Sequence, residues 1–305
     1  MLPDPSHTLP RQKWINIIII IALSLIWGSS FILIKQGLKV FSAPQVACLR
    51  LSFSGLVMLP AAYFNFKHIS IHRLAYILLF GILNAGIPPF LFARAQQGLP
   101  SSVAGVLNAL TPVFTLLTGA LFFSVGFNLR KLIGVILGLT GSMFIILFKP
   151  GAQLFALHDT EKLILGFLLV MATFMYGLSN NVTKRFLQEV PALAIASFAY
   201  TCMSIPAAIY LFSGTDFSVK ISIGKDAYWA LGYIFILATV GSALAMYLFN
   251  KLIKNSSALV ASFVTYFIPV VAMLWGIIDG ETLQFIQILG LAVILSGVYI
   301  VSIKK

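Results

Sequence analysis

Polar side chains are scarce in this chain, so those set inside its apolar runs mark where chemistry could take place. Asn108, Thr111 and Thr115 recur at spacings of three and four, which places them on one face of a helix. Ser262, Thr265 and Tyr266, ahead of Pro269, form a second array of the same kind. Asn84 with Pro88, Ser30 with Trp27, and Tyr176 with Asn180 complete a possible ring of donors, acceptors and aromatic faces. Such groups can hold a polar or zwitterionic solute by hydrogen bonds and ring contacts. They can equally serve as interhelical hydrogen bonds and packing. Arg50 is the one charge well within an apolar run. It could attract a carboxylate, cap carbonyls, or tie two helices together.

Other chemistry is missing. His7, His68, His72 and His158 all fall in tails or connections, and Cys48 and Cys202 lie in apolar runs without a CxxC spacing. These patterns give no metal site, and the cysteines read as small core or lipid-facing residues. No Asp or Glu falls inside an apolar run; Asp279 and Glu281 stand at the edge of one. An intramembrane enzyme needs a nucleophile with a base, or metal ligands, at membrane depth. Proton-driven carriers usually keep a titratable group in the pathway. A GxxxxGK[ST] loop for ATP hydrolysis is absent. The expectation is therefore a chain with no cofactor and no catalytic residues, working by facilitated transport or exchange.

The elements that must position these residues follow from composition. Of 305 residues, 60% are hydrophobic and 9% charged, with a mean hydropathy of +1.01. A soluble domain carries about 25% charged residues, so this chain must meet lipid. Its net charge of +12 is spread between the apolar runs rather than gathered in a patch, which argues against a nucleic-acid partner. A spanning helix needs roughly 20 apolar residues. That rule gives ten segments, near 14–34, 44–65, 73–95, 101–124, 130–148, 163–184, 191–212, 227–250, 256–278 and 283–302. The polar start, residues 1–13, has three prolines and no cleavage signature, so it reads as a tail before an uncleaved first helix. With that tail inside, twelve Lys and Arg fall inside and seven outside, while Asp159, Glu161, Asp216, Asp226, Asp279 and Glu281 are all outside. Both termini are expected in the cytoplasm.

The chain repeats itself. The stretch from Tyr76 aligns without a gap on the stretch from Tyr233, an offset of 157 that matches Phe92 to Phe249 and Pro112 to Pro269. Near the start of each half, Trp27 answers Tyr176, Gly28 answers Gly177 and Lys35 answers Lys184; near the end, Gly134 and Gly141 answer Gly290 and Gly297. The unit is five helices, so the expected domains are 14–148 and 163–302, joined by an outer loop at 149–162. An odd number of crossings turns the second unit upside down in the membrane. Many secondary transporters are built from such inverted repeats, with the substrate at the midplane between them. The fold class is thus all-α membrane protein, ten transmembrane helices in two inverted five-helix repeats.

At this point the chain resembles the EamA-type members of the drug/metabolite transporter superfamily. The resemblance rests on WGSSF from Trp27, on Arg50 in the second helix, on Pro112 and Pro269 in the fourth and ninth, and on GETL (Gly280–Leu283) followed by Gly290 and Gly297. The first repeat departs from it at Ser124-Val125-Gly126, where an acidic residue is common. The resemblance implies a basket of ten helices around a central cavity, with the fifth and tenth at the periphery. It also implies small metabolites, often amino acids and commonly exported, as substrates. Membrane lipid is the other expected partner, and the chain works as a monomer or homodimer. A lipid or polyprenyl-carrier flippase and a proton-coupled permease remain alternatives.

Overall fold

Lipid offers the backbone no hydrogen bonds, so a chain this apolar must satisfy its amides within helices. The computed structural model describes residues 10–66, 69–124, 126, 129–147, 160–223, 225–255 and 258–302. Some side chains within those ranges, including those of Ser262, Thr265 and Tyr266, lie outside the described residues, as does 149–159 of the expected outer loop. The described residues form the helices α1 (Pro10–Leu38), α2 (Ala43–Asn65), α3 (Ile71–Ala95), α4 (Ser101–Phe122), α5 (Leu129–Leu147), α6 (Thr160–Phe186), α7 (Ala192–Ser213), α8 (225–255), α9 (Ala258–Ile278) and α10 (Phe285–Ser302). A short helix, Phe217–Ile223, lies between α7 and α8. No strand occurs among the described residues.

Among the described residues, seven stretches are long and apolar enough to cross a bilayer: Trp14–Leu38, Ala43–Asn65, Ile71–Ala95, Ser101–Phe122, Thr160–Phe186, Ala192–Ser213 and Asp226–Phe249. Shorter apolar helices run over Leu132–Gly141, Phe267–Ile278 and Phe285–Gly297. Large apolar side chains stand on the outside, among them Leu56, Tyr63 and Phe64 of α2 and Ile205, Ile209 and Phe212 of α7. Polar ones are inside, including Ser54, Thr118, Thr173, Ser179 and Ser197. That arrangement suits lipid and not water, and the chain is a multi-pass membrane protein.

The two halves pack reciprocally. α2 lies along its repeat partner α7, and α5 along its partner α10, while α1 against α9 is answered by α6 against α4. Single residues repeat the pattern. Gly28 of α1 sits against Val271 of α9, and its counterpart Gly177 sits against Phe114 of α4, the residue that the offset of 157 carries onto Val271. Neither position has room for a Cβ. In the α5–α10 pair, Gly141 faces the Gly290 backbone and Gly297 faces that of Gly134. Small residues are what let membrane helices approach this closely.

Two helices depart from regular geometry. α3 carries a π turn at Gly81–Gly86 and α8 one at Thr239–Leu244, near-equivalent places in the two repeats. The first precedes Pro88-Pro89, whereas the second precedes Ala245 and Met246, so proline is not the common cause. α4 is interrupted at Ala109–Leu110, two residues before Pro112, yet α9 continues through Pro269. The repeats therefore differ at their matched prolines. Pro112 has no N–H for the Asn108 carbonyl one turn back. The Thr111 hydroxyl donates to that carbonyl instead, at 2.8 Å, and the repeat equivalent of Thr111 is Ile268, which cannot.

Candidate functional site

The repeat-matched aromatic residues meet across the bundle. Trp27 of α1 packs edge-on against Phe249 of α8, with ring centroids 5.1 Å apart. Its counterpart Tyr176 of α6 stacks on Phe92 of α3 at 6.0 Å. The same halves touch through the π turns. Asn84, in the α3 turn, donates to Ser179 Oγ at 3.3 Å, while Gly241, its equivalent in the α8 turn, lies against the Ser30 hydroxyl. Trp27 Nε1 donates to the Gly241 carbonyl at 3.0 Å. A π turn leaves carbonyls off the regular ladder, and here the Trp27 indole uses one.

Exposure within these helices is unusual. Trp27 is half-buried although Leu23, Ser24, Ser30 and Phe31, one turn to either side, are all buried. Tyr176 is half-buried between Ala172, Thr173 and Ser179, all buried; Asn84 is half-buried with Phe80, Gly81 and Pro88 buried around it and Ile87 exposed. Asn108 is the one half-open residue in a stretch, 101–110, that is otherwise buried. Residues three and four apart share a face. A face buried this far is turned away from lipid, which points the Trp27, Tyr176 and Asn108 side chains toward the interior of the bundle.

Beside Asn108, Thr115 Oγ1 donates to the Thr111 carbonyl at 2.9 Å and accepts from Asn180 Nδ2 at 3.3 Å. Arg50 of α2 donates through Nε to Ser242 Oγ in the α8 π turn, at 3.0 Å. The structure therefore sets Trp27 and Ser30 against the α8 turn, Asn84 and Tyr176 at contacts between α3 and α6, and Asn180 beside Thr115 between α6 and α4. Pro88 is buried and serves the α3 backbone.

At one end of the bundle, Lys35 of α1 pairs with Asp279 at 2.7 Å and Glu281 at 2.8 Å, and Gln36 Nε2 donates to Asp279 at 3.1 Å. The Glu281 carboxylate also accepts the N–H groups of Ser101 and Ser102, at 2.9 and 3.1 Å, capping the start of α4. Such capping is favourable because the first amides of a helix have no partner within it. Burial opposes the Glu281 charge, but the bonds from Lys35, Ser102 and Ser101 outweigh it and hold the carboxyl below its ordinary range. The bond from Lys35 does the same for Asp279, against the cost of burial.

The sequence model of the EamA-like transporter family matches residues 14–147 and again 163–303. The chain belongs to the EamA-like transporter family. A "Probable amino-acid metabolite efflux pump" of Salmonella typhimurium LT2 is 27% identical over 286 residues, covering 90% of this chain and 91% of that protein. The inner membrane transporter YedA of Escherichia coli K12 is 29% identical over 289 residues, covering 93% and 89%. One solved crystal structure shares the fold at a TM-score of 0.63 and 16% identity, covering 93% of this chain and 95% of its own.

For an EamA-like protein, several residues here escape a sequence reading. Asn181 is buried and donates to the Thr115 carbonyl, Thr118 Oγ1 and the Gly177 carbonyl, at 2.7, 2.9 and 3.1 Å. Ser242 was indistinguishable from other residues in apolar runs. The repeat alignment was the one signal available for Phe92 and Phe249.

Proposed function

We propose that the chain is a secondary transporter of the inner membrane that exports or exchanges a small metabolite such as an amino acid. In this reading all ten helices cross, the repeats are inverted, both termini are cytoplasmic, and the solute binds between the repeats. Alternating access follows from rocking one repeat against the other. The observation that carries the reading is the set of half-open residues on largely buried faces, Trp27, Asn84, Asn108 and Tyr176, contributed by both repeats. Their amide groups and rings suit a polar solute that also presents apolar surface. Membership of the EamA-like family and the efflux named for one relative support export of an amino-acid metabolite. The test is counterflow in proteoliposomes, with the purified chain and the twenty proteinogenic amino acids tried singly. Saturable exchange of at least one, absent from empty liposomes, is expected; a chain that scrambles labelled lipid but moves no amino acid would overturn the reading.

A further inference from the structure

Arg50 lies on a sealed face of α2, with Val46 and Ala47 buried one turn before it and Ser54 buried one turn after. Arg50 itself is only half-buried. By the argument used for Trp27 and Asn108, its guanidinium opens inward rather than to lipid. Its partner Ser242 is far from either end of α8, which places the charge deep in the bundle.

Lys35, Arg73, Arg94 and Lys220 each have a carboxylate partner. Arg50 has none among the described residues; its one hydrogen bond there runs from Nε to Ser242. A guanidinium carries five N–H donors in a planar fork. With Nε held by Ser242, the terminal nitrogens have no partner among the described residues and present a planar pair of donors that suits an anion with two oxygens. A dianion such as phosphate would meet a single positive charge here.

We propose that Arg50, held in place by Ser242 of the α8 π turn, is the subsite for the carboxylate of a small monoanionic or zwitterionic solute. This deepens the transport reading and rests on it for the solute's passage through the bundle. The π turn gains a purpose, because it aims Ser242 at Arg50 while its neighbouring Gly241 carbonyl takes the Trp27 indole. The two contacts bring α1, α2 and α8 to one point.

The full chain in lipid nanodiscs is tested by thermal shift against the twenty proteinogenic amino acids, the matching amino-acid amides, and acetate, propionate and butyrate. Binding raises the melting temperature by mass action. At least one carboxylate is expected to stabilise the protein, at a concentration at least tenfold below that needed for its uncharged amide. Arg50→Gln should abolish that preference, and Arg50→Lys should keep part of it. Ser242→Ala, which retains the charge and removes its anchor, should weaken binding roughly tenfold, and it decides the matter where Arg50→Gln does not fold. A response from amino acids alone assigns the carboxylate to a zwitterion; a response from butyrate as well assigns it to monocarboxylates generally. Equal response to acid and amide, an unchanged response in both Arg50→Gln and Ser242→Ala, or no response to any carboxylate would overturn the proposal. A ligand that binds through Arg50 but is not moved in proteoliposomes sinks the transport reading and leaves the site standing. One that is moved equally by wild type and Arg50→Gln does the reverse.

Discussion

Asn108 and Asn181 are two amides with opposite roles, and their surroundings say which is which. The Asn108 carbonyl is freed by Pro112 and taken by Thr111, while its side chain is half-open. Asn181 is buried and spends its Nδ2 donors across α4 and on its own helix. Leaving a buried acceptor without its donor costs about 1–3 kcal/mol. Asn181→Ala should therefore lower the melting temperature of the solubilised protein while transport per folded molecule changes little. Asn108→Ala should cut transport about tenfold, on the order of 1.4 kcal/mol, with the ligand-free melting temperature nearly unchanged. Equal losses of stability in the two variants would make Asn108 a strut as well. The face formed by Asn108, Thr111 and Thr115 was legible in the sequence, because spacing fixes direction on a helix. Asn181 was not, since adjacent residues point about 100° apart and no pattern says which of Asn180 and Asn181 meets α4.

At the scale of elements, the start of α4 is held by a charge from the far half of the chain. Glu281 caps it, and Lys35 of α1 holds Glu281. Offsets of 156 and 149 place Val125 and Lys184 at the matching positions, so a carboxylate equivalent to Glu281 is missing from the first repeat. The acid is thus a device of one end of the bundle. Both carboxyls titrate below their ordinary values of 3.8 for Asp279 and 4.5 for Glu281. The folded state therefore binds fewer protons than the unfolded state in that range. Their stabilisation is complete above those ordinary values and is lost as pH falls through the lowered ones. Glu281→Gln should reduce stability at pH 7 by about 2 kcal/mol, the scale of a charge-assisted hydrogen bond, and flatten the acid limb of a melting-temperature profile. An unchanged acid limb would place the titrating group elsewhere. Helix positions could be read from runs of apolar residues, but the π turns could not. They follow Pro88 in neither composition nor cause, since Ala245 and Met246 accompany the second one.

For the whole molecule, the sequence repeat has a counterpart in the packing of the helices. Trp27 and Tyr176, aligned as partners, meet Phe249 and Phe92, aligned as partners. It could not foretell which faces of the two halves would join, because that depends on shape, as at Gly28 against Val271 and Gly177 against Phe114. The absence of Asp and Glu from the apolar runs bears on how such a molecule is driven. Transport should run down a solute gradient alone, and dissipating an imposed pH gradient should alter the initial rate little. A several-fold fall on adding a protonophore would assign a proton route, with Asp279 and Glu281 the nearest carriers.

Orientation gives the last test of the ten-helix arrangement. Lys and Arg cross the membrane poorly during insertion, so loops rich in them stay inside. Phe66, after α2, and Ser218, on the short helix before α8, are both exposed. Five crossings per repeat put them on opposite sides: Phe66 two crossings from a cytoplasmic start, Ser218 seven. Cys48 and Cys202 must first be replaced, and since one is buried and the other half-buried, Ala at both should be tolerated. In that background Ser218→Cys in intact cells should react with a membrane-impermeant maleimide, and Phe66→Cys should react only after the cells are opened. If both react from outside, the number of crossings between them is even, and the repeats cannot be inverted. If the pattern is exchanged, the inversion stands and both termini lie outside.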